Sequence, residues 1–181
     1  MKRFSKYLLA MLLPLTVLMV RPITPAAVLM FGQEIRLSTE PVDPRDIFRG
    51  DYVTLRFSIE DAGKSLLSEQ DRNSLSGMFR YPVNDFGAPS VYLYVTLEPD
   101  EKGICQATGM FLAPPEAGIY LRARYYYENE LDYGDYLRRY YVRENTGREL
   151  EDAARRGELT AVAKVWRGRA VLTSLEMPEA E

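Results

Sequence analysis

Hydrophobic positions along this chain follow two patterns. From Tyr7 to Val20 they are nearly continuous and uncharged, and apolar character resumes from Ile23 to Phe31 after Arg21 and Pro22. From Gln33 onward they alternate with polar positions. Gln33–Ser38 places Ile35 and Leu37 on one face. Tyr52–Ile59 places Val53, Leu55, Phe57 and Ile59 on one face, and Val91–Leu97 does the same with Val91, Leu93, Val95 and Leu97. Ile119–Tyr127 sets Ile119, Leu121, Ala123 and Tyr125 against Tyr120, Arg122, Arg124 and Tyr126. A period of two with β-branched and aromatic residues predicts half-buried strands. Ile104–Leu112 is a weaker strand interrupted by Gly109. Leu159–Trp166 and Arg169–Leu175 flank Arg167-Gly168, a two-residue link suited to a tight hairpin.

Helical signals are few. Arg148–Arg156 has acids early, Arg155-Arg156 late and Gly157 after it, matching the helix dipole and a glycine stop. Residues 64–75 suit a second short helix, and Ser76–Pro89 reads as a long loop. A Gly-Asp-Tyr triplet recurs at 50–52 and 134–136, too short to establish a duplication. The expected fold is mainly β, an antiparallel barrel or sandwich built of hairpins with one or two short helices, preceded by one N-terminal transmembrane helix.

The basic residues Lys2, Arg3 and Lys6 precede the apolar run. Its 14 residues from Tyr7 to Val20 reach only ~21 Å as a helix, whereas Leu8 to Phe31 reaches ~36 Å, enough to cross a bilayer. Arg21 then lies near the outer interface, where an arginine can snorkel. Thr24 and Ala26 meet the small-residue requirement of signal cleavage only loosely. Residues 1–31 are therefore read as an uncleaved membrane anchor, with a cleaved signal peptide as the alternative, and residues 32–181 as an extracytoplasmic β-rich domain. The preceding basic residues orient the span with the domain outside, which places a single-pass protein in the cytoplasmic membrane with a periplasmic domain.

Composition narrows the chemistry. The 181 residues include no histidine and one cysteine, Cys105. That excludes a Ser-His-Asp triad, a Cys-His pair, an internal disulfide and multi-cysteine metal sites. The net charge is −3, and residues 32–181 carry 19 basic against 26 acidic side chains, so no overall basic field attracts nucleic acid.

The densest chemistry lies in Pro41–Tyr52, where Asp43, Arg45, Asp46, Arg49 and Asp51 fall within nine residues. Gly50 permits a sharp turn into the following strand, Asp51 can accept backbone N–H groups there, and the charges can pair locally. A self-satisfied charged loop and a ligand or partner site both fit. Asp43, Asp46 and Asp51 are hard oxygen donors, but their 3- and 5-residue gaps do not match a calcium loop and the interleaved arginines repel a cation. No metal and no cofactor is expected. Gly50-Asp51-Tyr52-Val53-Thr54-Leu55-Arg56-Phe57 resembles the signature of the GDYXXLXY domain family, matching at Gly50, Asp51, Tyr52 and Leu55, with Phe57 where the signature has Tyr. The upstream stretch and the layout of a short anchor before one domain are similar as well. The resemblance covers most of the chain. It implies membrane association and a multi-pass membrane protein as partner, and it implies no reaction.

A second unusual region is Tyr120–Tyr141, which holds eight of the 13 tyrosines interleaved with Arg122, Arg124, Arg138 and Arg139. Tyr and Arg are favoured at interface hot spots. The same residues also suit a strand face covered by tyrosines. The candidate binding residues are thus Asp43, Arg45, Asp46, Arg49, Gly50, Asp51 and Tyr52 in the signature, and Arg122, Arg124, Tyr126, Arg138 and Tyr140 in the tyrosine-rich stretch. The expected role is non-enzymatic: an accessory or binding protein of the bacterial envelope that contacts another membrane or envelope protein. The alternative is an envelope hydrolase using a Ser-Lys or paired-carboxylate site, but Lys64, Lys102 and Lys164, the lysines beyond the anchor, all fall beside turns or on exposed strand positions.

Overall fold

Alternating residues become two facing sheets when each buries its apolar face against the other. The computed structural model describes residues 2–40, 52–60, 66–78, 90–125, 131–141, 153 and 156–177. Two helices come first, α1 (Lys2–Val20) and α2 (Ile23–Phe31), followed by β1 (Gln33–Glu40), β2 (Tyr52–Thr54), β3 (Arg56–Phe57) and a 3-10 turn at Ser58–Glu60. Then come α3 (Glu69–Met78), β4 (Val91–Pro99), β5 (Cys105–Phe111), β6 (Ile119–Tyr125), β7 (Leu131–Asp132), the one-turn α4 (Asp135–Arg138), β8 (Arg139–Tyr141), β9 (Thr160–Trp166) and β10 (Arg169–Glu176). One sheet has the order β10-β9-β1-β3, the other β5-β4-β6-β7, and β2 and β8 form a separate ribbon. All these strand pairs are antiparallel.

Ile35, Leu37, Phe57, Ala161 and Ala163 of the first sheet share one buried cluster with Leu93, Val95, Leu97, Leu121 and Ala123 of the second. Each large side chain so buried stabilises the fold by roughly 1.5–3 kcal/mol. Single bridges join the sheets at two corners, Arg36 with Ile104 and Leu121 with Gly168. The second corner depends on the β9–β10 hairpin. Arg167 (φ 50°) and Gly168 (φ 75°) both adopt left-handed backbone, as a two-residue turn between twisted strands requires. The turn tip presses onto β6, where a Cβ on Gly168 would lie 2.7 Å from the Tyr120 ring.

The outer face of β9 and β10 is covered by α2. Val28 is buried there, the Phe31 and Trp166 rings lie 6.0 Å apart, and the Lys164 ammonium donates to the Leu29 carbonyl at 2.8 Å. That last bond satisfies one of the orphan carbonyls at the helix end and places a cation where the dipole favours it. The apolar N-terminal segment is thus broken at Arg21-Pro22 into a 19-residue helix and a second helix that lies on the domain. Met11–Phe31 is long and apolar enough to cross a membrane, and α1 alone spans about 28 Å.

Two predicted elements differ in detail. Tyr52–Ile59 is not one strand, because β2 and β3 pair with different partners and Leu55 between them donates its N–H to the Arg138 carbonyl at 2.8 Å. Its buried residues Leu55, Phe57 and Ile59 are nonetheless those the alternation selects. The helix expected at 64–75 runs from Glu69 to Met78 instead. Ser68 starts it by accepting the Asp71 N–H at 3.1 Å while donating its hydroxyl to the Asp71 carboxylate at 2.9 Å. Of the helix expected at 148–156, Ala153 and Arg156 are helical and the other residues lie outside those described.

Candidate functional site

The two regions of unusual composition meet in the ribbon. Tyr52 pairs with Tyr141, Val53 with Tyr140 and Thr54 with Arg139. The signature strand is therefore hydrogen-bonded along its length to the end of the tyrosine-rich stretch. Asp43, Arg45, Asp46, Arg49, Gly50, Asp51 and Tyr126 lie outside the described residues.

Arg138 and Tyr140 serve the fold. The Arg138 guanidinium lies 4.0 Å from Glu60 and 3.9 Å from Asp132, so it ties the 3-10 turn to β7. Its Nε is buried without a hydrogen-bond partner, which leaves the group held by charge rather than by ideal geometry. Tyr140 packs against the main core.

Arg122 and Arg124 have a different setting. Leu121 and Ala123 point into the core, so the alternation of β6 turns both arginines to the outer face of the sheet. On that face β4 presents Tyr92, directly opposite Arg124 in the strand register. The Arg122 guanidinium lies 4.5 Å from the Tyr92 ring centroid and that of Arg124 5.6 Å, and Arg124 also donates to the Tyr92 hydroxyl at 3.1 Å. The Arg124 hydrogen bond and charge, aided by Arg122 and Arg169, hold the Tyr92 hydroxyl below the usual tyrosine range. Tyr92 remains 44% exposed.

The tyrosines do not form one continuous face. Tyr125 and Tyr133 are buried, and the Tyr133 hydroxyl donates to the Ile59 carbonyl at 3.2 Å. Burial, and then the charge of Glu60, push its pKa far up. Tyr136 is exposed on α4. The second Gly-Asp-Tyr triplet thus opens a helical turn, whereas Tyr52 of the first begins a strand.

A cavity of about 390 Å³ opens between α2, β6 and β10, with Arg21, Thr24, Arg122, Tyr133, Arg169 and Val171 among its walls. A shallower hollow of about 290 Å³ adjoins it through Arg122, Tyr133 and Gly134 and continues past Tyr92, Arg124 and Asp132. Tyr92, Tyr133 and Arg169 were not legible as neighbours of Arg122 from spacing. The pairing of β4 and of β7 with β6, and the docking of the hairpin turn on β6, bring them together. Among the described residues no group of three or more Cys, Asp or Glu could hold a metal ion. Lys164 is engaged with Leu29 and Lys102 sits exposed in the turn after β4.

The sequence profile of the GDYXXLXY protein family matches residues 14–175, from within α1 to the penultimate residue of β10. The chain belongs to the GDYXXLXY family. In this GDYXXLXY protein, the signature's last aromatic is Phe57, whose side chain is fully buried in the core. A tyrosine hydroxyl there would need a partner in the interior, which Phe avoids. Comparison with curated proteins and with solved structures finds no match.

Proposed function

We propose that this GDYXXLXY protein is a single-pass, membrane-anchored accessory protein whose extracytoplasmic domain binds another protein of the membrane or envelope. One observation carries the reading: an exposed tyrosine, Tyr92, contacted by two arginine guanidiniums on the outer face of the β5-β4-β6-β7 sheet. Stacking and the Arg124 hydrogen bond fix the rotamers of long side chains that would otherwise lose entropy on binding. Tyr and Arg held in this way are the residue types that dominate interface energetics. The surface also runs without interruption to the cavity walled by α2, so it lies at the end of the domain nearest the span, where a membrane-embedded partner would meet it.

The signature supports the same reading through the ribbon, since β2 and β8 pair Tyr52, Val53 and Thr54 with the end of the tyrosine-rich stretch. The test is affinity capture of full-length protein from detergent-solubilised membranes, with Tyr92→Ala and Arg124→Ala compared with wild type. Loss of about 2 kcal/mol per anchor, roughly 30-fold in affinity, is expected, with folding unchanged. Capture at wild-type strength by both variants would remove this face from consideration. Protease added outside the cytoplasmic membrane should digest residues 32–181; full protection there would reverse the orientation.

A further inference from the structure

We infer that the cavity between α2, β6 and β10 binds the phosphate group of an anionic phospholipid headgroup, held by Arg21, Arg122 and Arg169. The inference rests on the anchored reading of α1. Three arginines from three separate parts of the chain converge on this one cavity: Arg21 from the break between the helices, Arg122 from β6 and Arg169 from the start of β10. Among the described residues no acidic one lines it, and Asp132 and Asp135 stand in the adjoining hollow. Among the described residues, none of the three arginines has a carboxylate within ion-pair distance, whereas Arg36, Arg56, Arg138, Arg139 and Arg156 each have at least one. Arg122 spends its charge on the Tyr92 ring and Arg169 on the Thr24 hydroxyl at 3.2 Å, neither of which neutralises it. In a domain with more acidic than basic side chains, three cations with no carboxylate beside them among the described residues are not explained by bulk charge.

The arrangement is built by the fold. The left-handed turn at Arg167-Gly168 seats the hairpin on β6, and the Arg122 N–H donates to the Gly168 carbonyl at 2.7 Å. Residue 169 is thereby fixed beside residue 122. Guanidinium groups present planar pairs of donors that match phosphate oxygens, and two or three of them around one phosphate give charge-assisted bonds that a single lysine cannot.

Position selects a lipid rather than a soluble anion. Arg21 follows directly on Val20, the last residue of α1, so the cavity mouth lies at the level where the apolar helix ends. Helix α2 beside it exposes Ile23, Leu29, Met30 and Phe31. An exposed apolar face continuous with a span, next to converging arginines, suits the boundary between acyl chains and headgroups.

The test uses the full-length chain in nanodiscs of phosphatidylcholine with or without phosphatidylglycerol, and native mass spectrometry of lipid retained after gentle release. Wild type should retain phosphatidylglycerol in preference to phosphatidylcholine. Arg169→Gln should weaken retention about tenfold or more, as loss of a hydrogen bond to a charged group implies. Arg21→Gln should do the same, and it lies outside the β sheets, so an unchanged circular dichroism spectrum and melting curve separate the effect from a folding defect. Arg156→Gln, on a residue paired with Glu158 elsewhere on the surface, should retain lipid like wild type. Equal retention of both lipids, or equal retention by wild type and Arg21→Gln, would overturn the proposal. Displacement of the lipid by inorganic phosphate alone would reassign the site to a soluble anion and overturn the lipid source. Incorporation into phosphatidylcholine nanodiscs reads the anchor by itself. A chain that stays soluble there loses the anchor and the site together, whereas an incorporated chain without headgroup preference loses the site only.

Discussion

The backbone N–H of Arg122 donates to the carbonyl of Gly168 at 2.7 Å, joining the middle of one sheet to the turn of the other. That bond fits only because Gly168 carries no side chain. At φ 75° an added Cβ is strained in itself, and it would also meet the Tyr120 ring at 2.7 Å.

Gly168→Ala is therefore expected to lower stability by roughly 2 kcal/mol, the left-handed backbone accounting for about 1–2 kcal/mol of it. Thermal melting followed by circular dichroism measures this. A melting temperature equal to wild type would mean that the turn does not hold the sheets together.

Tyr133→Phe removes a hydroxyl that donates to the Ile59 carbonyl in the interior. The acceptor left behind costs on the order of 1–2 kcal/mol, readable as a lower urea midpoint with an unchanged slope. Alkaline pH tests the same residue in wild type. The folded-state pKa is raised by burial, so the hydroxyl keeps its proton in the native state after the unfolded chain has begun to lose it. Stability is thus intact below about pH 10 and falls as the pH rises beyond it. Tyr133→Phe should lose that part of the alkaline slope.

Cys105 is buried, and burial pushes its thiol above the ordinary range. A thiolate is the reactive form, so native protein should resist alkylation at neutral pH and react once urea unfolds it. Rapid labelling of the native chain, followed by mass spectrometry, would show that β5, the edge strand that carries it, opens readily.

Asp51→Ala tests the signature. If Asp51 accepts backbone N–H groups at the turn into β2, the change costs on the order of 1 kcal/mol in thermal unfolding. If capture of the partner is lost as well, the signature loop contributes to binding as well as to the turn.

Much of the β framework is legible in the chain because one face of each sheet is buried and the period of two records which. Leu121 and Ala123 inward, Arg122 and Arg124 outward, is read directly from β6 and matches the structure. What escapes is set by partners distant in sequence. Nothing near Leu55 shows that its N–H belongs to Arg138, so the break between β2 and β3 is invisible locally. The tyrosines from 120 to 141 look alike in composition, yet Tyr133 is drawn inward by the Ile59 carbonyl while Tyr136 stays outside on a helical turn. Arg169 reads as an ordinary strand residue until the hairpin sets it beside α2.

The junction between α1 and the domain is two residues long, Arg21 and Pro22, and both sides of it are hydrogen-bonded, Arg21 to Val17 and Ala26 to Pro22. Beyond it α2 is fastened to β9 by Lys164 and to β10 by Arg169. With α1 embedded, such a mount would leave the domain no tether on which to wander. Its height above the bilayer and its heading around the membrane normal would follow the helix. A partner diffusing in the same leaflet would then meet the Tyr92 face after a planar search, with tilt and elevation settled beforehand. Complex formation under those conditions needs far less contact energy than the same surface would need between two proteins tumbling in solution.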